Sequence, residues 1–185
     1  MKVMNRRVLI GFLTLLGLLN LSRVAVGQKD VGYLKVDANP GRAGVFVDDK
    51  YLGPAANFRV DRKYALSPGQ HTVRLSEPRY KDHTTTINIE AGKTTKLTSV
   101  MEKLPVPQPP YGMLHVVKGP HSKFSAVFIN GQFMGHVGAY DNSLQGELIK
   151  PGEYEVKIVS PEGKVIHEEK ISIKADQTTT VRLPS

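Results

Sequence analysis

Histidine and carboxylate side chains are the groups in this sequence whose types suit metal binding or acid–base chemistry. The chain has six histidines, and none stands in a close His-x-His or His-x-x-x-His pair that would bring metal ligands together. Two of them flank one predicted hairpin and are the only pair with a weak claim to a metal site. We therefore expect no metal and no cofactor. The histidines are His71, His83, His115, His121, His136 and His167, and the flanking pair is His121 with His136.

Catalytic arrangements of serine or paired acids are not indicated either. A nucleophilic serine on a sharp turn would be marked by Gly-x-Ser-x-Gly, which the sequence lacks. Glu153 and Glu155 stand two apart on a predicted strand, so they share one exposed face. The pair Asp48 and Asp49 lacks the regular oxygen spacing of a calcium loop. We expect a protein that is not an enzyme, with a hydrolase as the third alternative.

The charge of the chain does not indicate a nucleic-acid binder. The formal net charge is +8, but four of the 25 basic residues lie before Gln28, where no acid stands. The remaining surplus is modest and interspersed with acids, as on an ordinary soluble surface. The stretch at residues 57–64 comes closest to a nucleic-acid motif, with basic residues beside two aromatic rings. We expect no nucleic-acid partner.

The N-terminal segment, residues 1–27, has the pattern of a secretory signal peptide. A basic n-region precedes an apolar run at residues 8–21, and small residues stand at Ala25 and Gly27. We predict cleavage between Gly27 and Gln28. The alternative is an uncleaved membrane anchor, for which the apolar run is short of the ~20 residues that span a bilayer. The mature protein is thus expected to be exported, with a periplasmic, cell-surface or extracellular location.

The rest of the sequence is an internal repeat. Four blocks recur in the same order with a nearly constant offset along the chain. This predicts two similar units in tandem. The paired blocks are GYLKV at Gly32 with GMLHV at Gly112, VFVDDKYLG at Val45 with VFINGQFMG at Val127, LSPGQHTVRL at Leu66 with IKPGEYEVKI at Ile149, and EAGKTTKL at Glu90 with KADQTTTV at Lys174.

A proline-rich segment separates the two copies. Residues 104–111 contain four prolines, which favour extended polyproline geometry and make a semi-rigid spacer. We predict a first domain over residues 28–103, a linker over 104–111 and a second domain over 112–185.

Each copy has the pattern of β structure. After each Pro-Gly, apolar and polar residues alternate with the period of two that a half-buried strand requires. Predicted strands follow one another at short, regular intervals with turn residues between them, as in a small sandwich. We predict an all-β fold of two tandem small β-sandwich domains, immunoglobulin- or transthyretin-like, after the signal peptide. The inward positions are His71, Val73 and Leu75 in the first copy and Tyr154, Val156 and Ile158 in the second.

The hairpin turns of the two copies differ in residue type. Asn130-Gly131 supplies the two positive-φ residues of a type I′ turn. Asp48-Asp49 stands in the same place in the first copy. Because aspartate tolerates positive φ less well than glycine, we expect that turn to be slightly strained or of another type.

These motifs resemble those of the PEGA domain family. The resemblance rests on PGRA at Pro40, VFVD at Val45, Gly53 and LSPGQHTV at Leu66, and it is fainter in the second copy. Gly41-Arg42 stands where the family motif has Glu-Gly, and Asp49 replaces the usual turn glycine. The resemblance implies a small β-sandwich module of bacterial and archaeal exported or surface proteins, similar to segments of surface-layer proteins. It implies no catalytic residues.

Aromatic residues around the two hairpins are the first candidates for partner binding. Phe46 and Phe128 precede the turns, and Tyr51 and Phe133 follow them. If Phe46 and Phe128 point outward, they form a repeated apolar knob; the alternative is that a later strand covers them. We expect a non-catalytic structural or adhesive protein of the cell envelope or surface, which binds another protein or an envelope polymer.

A second candidate is a module that binds polysaccharide or peptidoglycan. Small exported β-sandwiches commonly bind sugars through aromatic platforms, although this chain has no tryptophan. The residues of this candidate site are Arg59, Arg62, Tyr51 and Tyr64.

Overall fold

The computed structural model describes residues 31–58, 62–106, 108–140 and 146–184. Within these ranges almost all regular structure is β, in several small sheets, so the all-β sandwich prediction is confirmed. The predicted signal peptide lies outside the described residues, as does Arg59. No helix in the described part of the chain has the length and apolar character needed to cross a membrane.

The first unit is a sandwich of a three-stranded and a four-stranded sheet. The order of the first sheet is β4-β1-β7 and that of the second is β3-β2-β5-β6. Among the described strands of this unit, only the β1–β7 pair is parallel. A short 3-10 turn, Ala55–Phe58, follows β3. The strands are β1 (Gly32–Asn39), β2 (Gly44–Val47), β3 (Lys50–Pro54), β4 (Tyr64–Leu66), β5 (Gly69–Ser76), β6 (His83–Ile89) and β7 (Thr94–Val100).

The second unit repeats this topology strand for strand. Its sheets have the orders β11-β8-β14 and β10-β9-β12-β13, again with one parallel pair, β8–β14. A one-turn helix, α1 (Val137–Tyr140), replaces the 3-10 turn. The strands are β8 (Gly112–Val117), β9 (Ala126–Ile129), β10 (Gln132–His136), β11 (Glu147–Ile149), β12 (Gly152–Val159), β13 (Val165–Ile173) and β14 (Thr178–Arg182).

Each unit has its own apolar core between its two sheets. Along β1, residues Leu34 and Val36 are fully buried and alternate with half-buried neighbours, as a sheet with one face on the core requires. Leu114 and Val116 of β8 do the same in the second unit. Burying each such side chain stabilises the fold by about 1.5–3 kcal/mol.

The two hairpin turns have the same backbone geometry despite their different residues. Both residues of the first turn have positive φ, 49° at Asp48 and 63° at Asp49. In the second turn φ is 47° at Asn130 and 77° at Gly131. The first turn is therefore not of another type, and it places an aspartate in the left-handed region at a position where glycine would be free of strain.

Candidate functional site at the junction of the two units

The hairpin β2–β3 of the first unit packs against the equivalent hairpin β9–β10 of the second. Four rings meet there, and we call this cluster the aromatic junction. Between the units, the centroids of Phe46 and Phe133 are 5.1 Å apart with an edge-to-face angle of 87°. The centroids of Tyr51 and Phe133 are 5.5 Å apart. These separations are typical of favourable aromatic pairs. The aromatic junction consists of Phe46, Tyr51, Phe128 and Phe133.

Three rings of the aromatic junction are withdrawn from solvent. Phe46 is 2% exposed, and Tyr51 and Phe133 are each 5% exposed, whereas Phe128 is half-buried. The rings therefore do not form an exposed knob. Two groups cover Phe46: the Phe133 ring from the equivalent hairpin of the other unit, and the guanidinium of Arg74 from β5 of its own unit, whose carbon lies 4.0 Å from the ring centroid. An external partner would have to displace the second unit to reach these rings.

Small residues at the start of β2 and β9 allow the hairpins to approach. The Phe133 ring lies directly over Gly44, where an added Cβ would clash with the ring. On the other side, the Tyr51 hydroxyl donates a hydrogen bond of 3.1 Å to the carbonyl of Phe124. Ala126, the counterpart of Gly44, belongs to the same apolar cluster. Phe133 of β10 therefore lies beside the start of β2, and Tyr51 of β3 lies beside the segment that leads into β9.

A chain of alternating charges runs beside the aromatic junction. The Arg42 Nε donates to one oxygen of Glu77 at 2.6 Å, and the backbone N–H of Arg79 donates to the other oxygen at 2.8 Å. The Arg79 Nε then donates to Glu147 of the second unit at 3.0 Å. Glu77 is only 5% exposed. The β5–β6 connection of the first unit therefore reaches across and contacts the second unit.

The surroundings of Glu147 favour its neutral form more than those of an exposed carboxyl. Burial raises the pKa of Glu147, and the charge and hydrogen bond of Arg79 oppose that rise. Desolvation thus outweighs the ion pair. Loss of the Arg79 side chain would leave this carboxylate in a poorly hydrated position without its partner.

A cavity of about 590 Å³ opens between the units next to the charge chain, and we call it the junction cleft. Its polar lining includes Arg42, Arg79, His136 and Glu147, and its apolar lining includes Met113, Met134 and Leu148. Burial lowers the pKa of His136, and the positive charge of Lys123 lowers it further. Both units contribute to this lining, so the junction cleft exists only while they are docked.

Comparison with known proteins identifies the first unit. Residues 31–105 match the model of the PEGA domain family. Residues 31–105 are a PEGA domain. Such domains are generally found in exported proteins. The match ends before the second unit, whose place in the family it does not address.

Neither curated proteins nor solved structures provide a relative from which a function of this chain could be argued. No curated protein matches the chain. One solved structure that matches is titled the Bacillus anthracis TIE protein, at 19% sequence identity and a TM-score of 0.28. The match covers 83% of this chain, which spans 33% of the length of that one.

The structure separates the residues of the predicted saccharide site. Arg62 and Tyr64 line a cavity of about 410 Å³ on the PEGA domain, together with Leu52 and Phe58. Tyr51 does not line it, because successive residues of a strand face opposite sides of the sheet and Leu52 takes the inner side. The fourth residue, Arg59, lies outside the described residues.

Several residues of the junction escaped sequence reasoning. They are far apart along the chain, and outward-facing charged residues look like ordinary surface in a sequence. Two signals in the sequence concern three of them. Arg42 stands where the sequence departs from the PEGA motif, and the connection after β5, residues 77–82, is one residue longer than its counterpart after β12, residues 160–164. The missed residues are Arg42, Glu77, Arg79 and Glu147, whereas His136 was singled out only as a weak metal-ligand candidate.

In the part of the chain that the structure describes, no group of three or more His, Asp or Glu side chains is placed to hold a metal ion. The two histidines that flank the second hairpin differ in surroundings. His136 lies in the junction cleft, whereas His121 is exposed.

Proposed function

We propose that this chain is a non-catalytic, exported two-domain β protein of the cell envelope or surface. Its two units act as one body of fixed shape that binds another protein or an envelope polymer. The second unit is a degenerate PEGA domain, a proposal that its identical strand order and pairing support.

The observation that carries this proposal is the burial of the aromatic junction. The side chains of Phe46, Tyr51 and Phe133 are almost wholly withdrawn from water between the units. Two domains on a short linker meet at a high effective concentration, so even a small apolar contact holds them together. A fixed orientation of the two units suits a protein that holds its binding surfaces at a constant distance and angle for a partner.

Recognition would use the surfaces that docking leaves exposed. On the outer face of the PEGA domain, Thr72 pairs with Thr86 and Gln70 with Asn88, which makes a polar surface, and Arg74 adds a charge at its end. Strands β6 and β13 are edges of the four-stranded sheets. An extended segment of a partner is able to add to such an edge through backbone hydrogen bonds.

The arrangement of the carboxylates supports a non-catalytic role. Both oxygens of Glu77 accept hydrogen bonds, and Glu147 is paired with Arg79. Screens on esters, peptides and glycosides should therefore be blank. A turnover that one His or acid substitution abolishes would overturn the proposal.

The decisive experiment is retention of the mature protein on isolated envelope material. We expect retention on intact envelopes, and protease treatment of the envelopes separates a protein partner from a polymer. The matched variant is Gly44→Val, which pushes Phe133 away and undocks the units. If recognition needs the fixed arrangement, this variant binds less well than the native protein. Equal retention of a folded but undocked variant would contradict the role of the junction.

A second candidate function is binding of polysaccharide or peptidoglycan. The cavity beside Arg62 and Tyr64 and the junction cleft both favour it, because each combines polar groups with an apolar wall. Retention on protein-free wall polymer that falls as salt rises would support a charged contact. No retention at low salt would count against this function.

Export itself is tested by the N-terminus of the processed protein. Cleavage at the predicted site gives a chain that begins at Gln28. A chain that still begins at Met1 and sediments with membranes would show that the apolar run serves as an anchor.

A further inference from the structure

The junction cleft contains a ring nitrogen that has no hydrogen-bond partner among the residues that the structure describes. This nitrogen is Nδ1 of His136, which is buried. The ring is hydrogen-bonded to the backbone of Arg42, and that bond is possible for a neutral ring only if the nitrogen facing the carbonyl carries the proton. Burial and nearby positive charge both favour the neutral ring. Nδ1 is therefore an acceptor in need of a donor.

The charged side chains that line the junction cleft balance in number. Arg42 and Arg79 face the acids Glu77 and Glu147, with each guanidinium joined to a carboxylate through Nε. Lys123 does not line the cleft, although its positive charge acts on the His136 ring. A site of this kind has little net charge with which to select an anion or a cation. It offers donors and acceptors side by side, which suits a ligand whose groups both donate and accept. Hydroxyl groups have this property.

An apolar wall stands opposite these polar groups. Met113, Met134 and Leu148 line the junction cleft from the second unit, and Pro78 lines it from the first. Methionine side chains adapt to irregular apolar surfaces, such as the C–H face of a sugar ring. The volume of about 590 Å³ lies within the range of small-molecule sites, about 300–1,000 Å³.

We propose that the junction cleft binds a short neutral saccharide, whose hydroxyl groups donate to His136 Nδ1 and Glu147 and accept from Arg42 and Arg79. The ligand bridges the two units, so it binds only their docked form. This inference rests on the second candidate function and names the site at which it operates.

The test is a titration of the ¹⁵N-labelled mature protein, followed by NMR of its amide and arginine Nε–H groups. The probes are chitotetraose and cellotetraose as neutral saccharides and citrate as an anion. We expect a saccharide to shift the signals of Gly135, Gly138 and the Arg79 side chain, and to leave those of Arg62 and Lys63 unchanged.

Two variants locate the binding. Glu147→Gln preserves shape and removes the charge, and His136→Phe removes the acceptor. His136→Phe loses a hydrogen bond to the sugar, and Glu147→Gln replaces a charge-assisted hydrogen bond with a weaker neutral one, so in each the dissociation constant should rise about tenfold. Lys63→Ala, in the separate cavity, is the matched control and should bind as the native protein does. If His136→Phe fails to fold, Glu147→Gln together with Gly44→Val decides the matter, since undocking should abolish binding.

Any of three results would overturn the inference. The first is that neither saccharide shifts an NMR signal of the cleft residues at millimolar concentration, and the second is that citrate alone shifts these signals. The third is that saccharide binding persists both in Glu147→Gln and in the undocked variant. If the protein is still retained on envelopes in any of these cases, the proposed function is kept and only the saccharide site in the junction cleft is rejected. If a saccharide binds the cleft but the protein is not retained on envelopes, the proposed function is rejected instead.

Discussion

The two units share one topology but differ at the turn that carries the aromatic junction. In the PEGA domain, the backbone N–H of Thr72 donates to the Asp48 carboxylate at 2.9 Å. In the second unit, that of Glu155 donates to the Asn130 side-chain oxygen, also at 2.9 Å. A charged and a neutral side chain thus make the same bond. The comparison teaches that this position requires an acceptor and not a charge.

A second position shows the same rule. His71 contacts the carbonyl of Ser67 through Nε2 at 2.8 Å, and the hydroxyl of Tyr154 donates to the carbonyl of Lys150 at 2.9 Å. Both side chains therefore tie a strand to the carbonyl four residues earlier. Only the histidine can change its charge near neutral pH, so only the PEGA domain gains a pH dependence here.

The connections after β5 and β12 differ more, and they decide which unit reaches across. In the second unit, the backbone N–H of Ser160 donates to the carbonyl of Lys164, which closes a tight loop. In the PEGA domain, the longer connection carries Glu77 and Arg79 to the junction. Positions that the two units have in common thus form each sandwich, and positions at which they differ make the contacts between the two sandwiches.

The largest expected effect comes from Phe133→Ala, which removes the central ring of the aromatic junction. Truncating a buried phenylalanine costs about 3–5 kcal/mol, and here the loss should let the units unfold separately. Calorimetry and small-angle scattering would show two transitions and a longer particle. The matched control is Phe128→Ala, whose half-buried ring should cost far less. Equal effects of the two substitutions would mean that the junction is not centred on Phe133.

The second largest effect is expected from a substitution in the ion pair by which the PEGA domain contacts the second unit. Arg79→Met leaves Glu147 without its partner, so we expect a loss of about 1–2 kcal/mol after allowance for partial exposure, and a further rise of the Glu147 pKa. Chemical denaturation would measure the loss of stability, and NMR titration would measure the pKa of Glu147. Lys157→Met, in the exposed pair with Glu168, should change stability by less than about 1 kcal/mol. Recovery of stability in Arg79→Met with Glu147→Leu would confirm that the unpaired carboxylate is the cause.

A smaller effect compares the two hairpin turns directly. Asp49→Gly gives the first turn the glycine that Gly131 gives the second, and it should stabilise the PEGA domain by about 0.5–1 kcal/mol. The reverse change, Gly131→Asp, should destabilise the second unit by a similar amount. Denaturation midpoints of both variants provide the measurement. A destabilised Asp49→Gly variant would mean that the Asp49 side chain makes a contribution larger than the strain.

The smallest effect is the pH dependence of the Asp48–His71 pair. Both ring nitrogens of His71 face acceptors, Asp48 at 2.6 Å and the Ser67 carbonyl, so the pKa of His71 is raised above its ordinary 6.5. The hydrogen bond from His71 lowers the pKa of Asp48 below 3.8. The contribution of His71 is complete below pH 6.5 and is lost as pH rises through its raised pKa. That of Asp48 is complete above 3.8 and is lost as pH falls through its lowered pKa.

The stability difference between the native protein and His71→Tyr should therefore be largest between about pH 4 and 6.5. Thermal unfolding across this range measures it. Because Asp48 is largely exposed, solvent screening keeps the effect small. Tyr154→His is the matched control, since it keeps a carbonyl acceptor at Lys150 but has the neutral Asn130 in place of Asp48, so its pKa should be raised less than that of His71. An equally raised pKa in that variant would show that Asp48 is not the main cause.

Much of the fold could be predicted because its signals are local. The alternation at Val73 and Leu75, and its copy at Val156 and Ile158, marks strands whatever they pack against. The PEGA resemblance was confirmed for the first unit. The sequence left two alternatives for the Asp48-Asp49 turn, slight strain or another turn type, and the structure agrees with the first: the turn type is the same, and aspartate has an unfavourable φ.

The junction could not be predicted in the same way. Phe46 stands at an outward position, and such a position has the same sequence pattern whether water or another domain covers it. Arg42 and Glu77 are 35 residues apart, and Arg79 and Glu147 are 68 apart. No periodicity links residues at such distances.

The sequence alone determined what depends on near neighbours along the chain, namely the repeat, the strands, the turns and the two cores. Side chains alternate with a period of two, and turn residues select backbone angles, so both leave a pattern within a few positions. The tertiary structure alone decided that Phe133 closes over Gly44 and that Arg79 meets Glu147. Those contacts depend on how two finished surfaces fit together, and shape complementarity between distant segments has no local pattern.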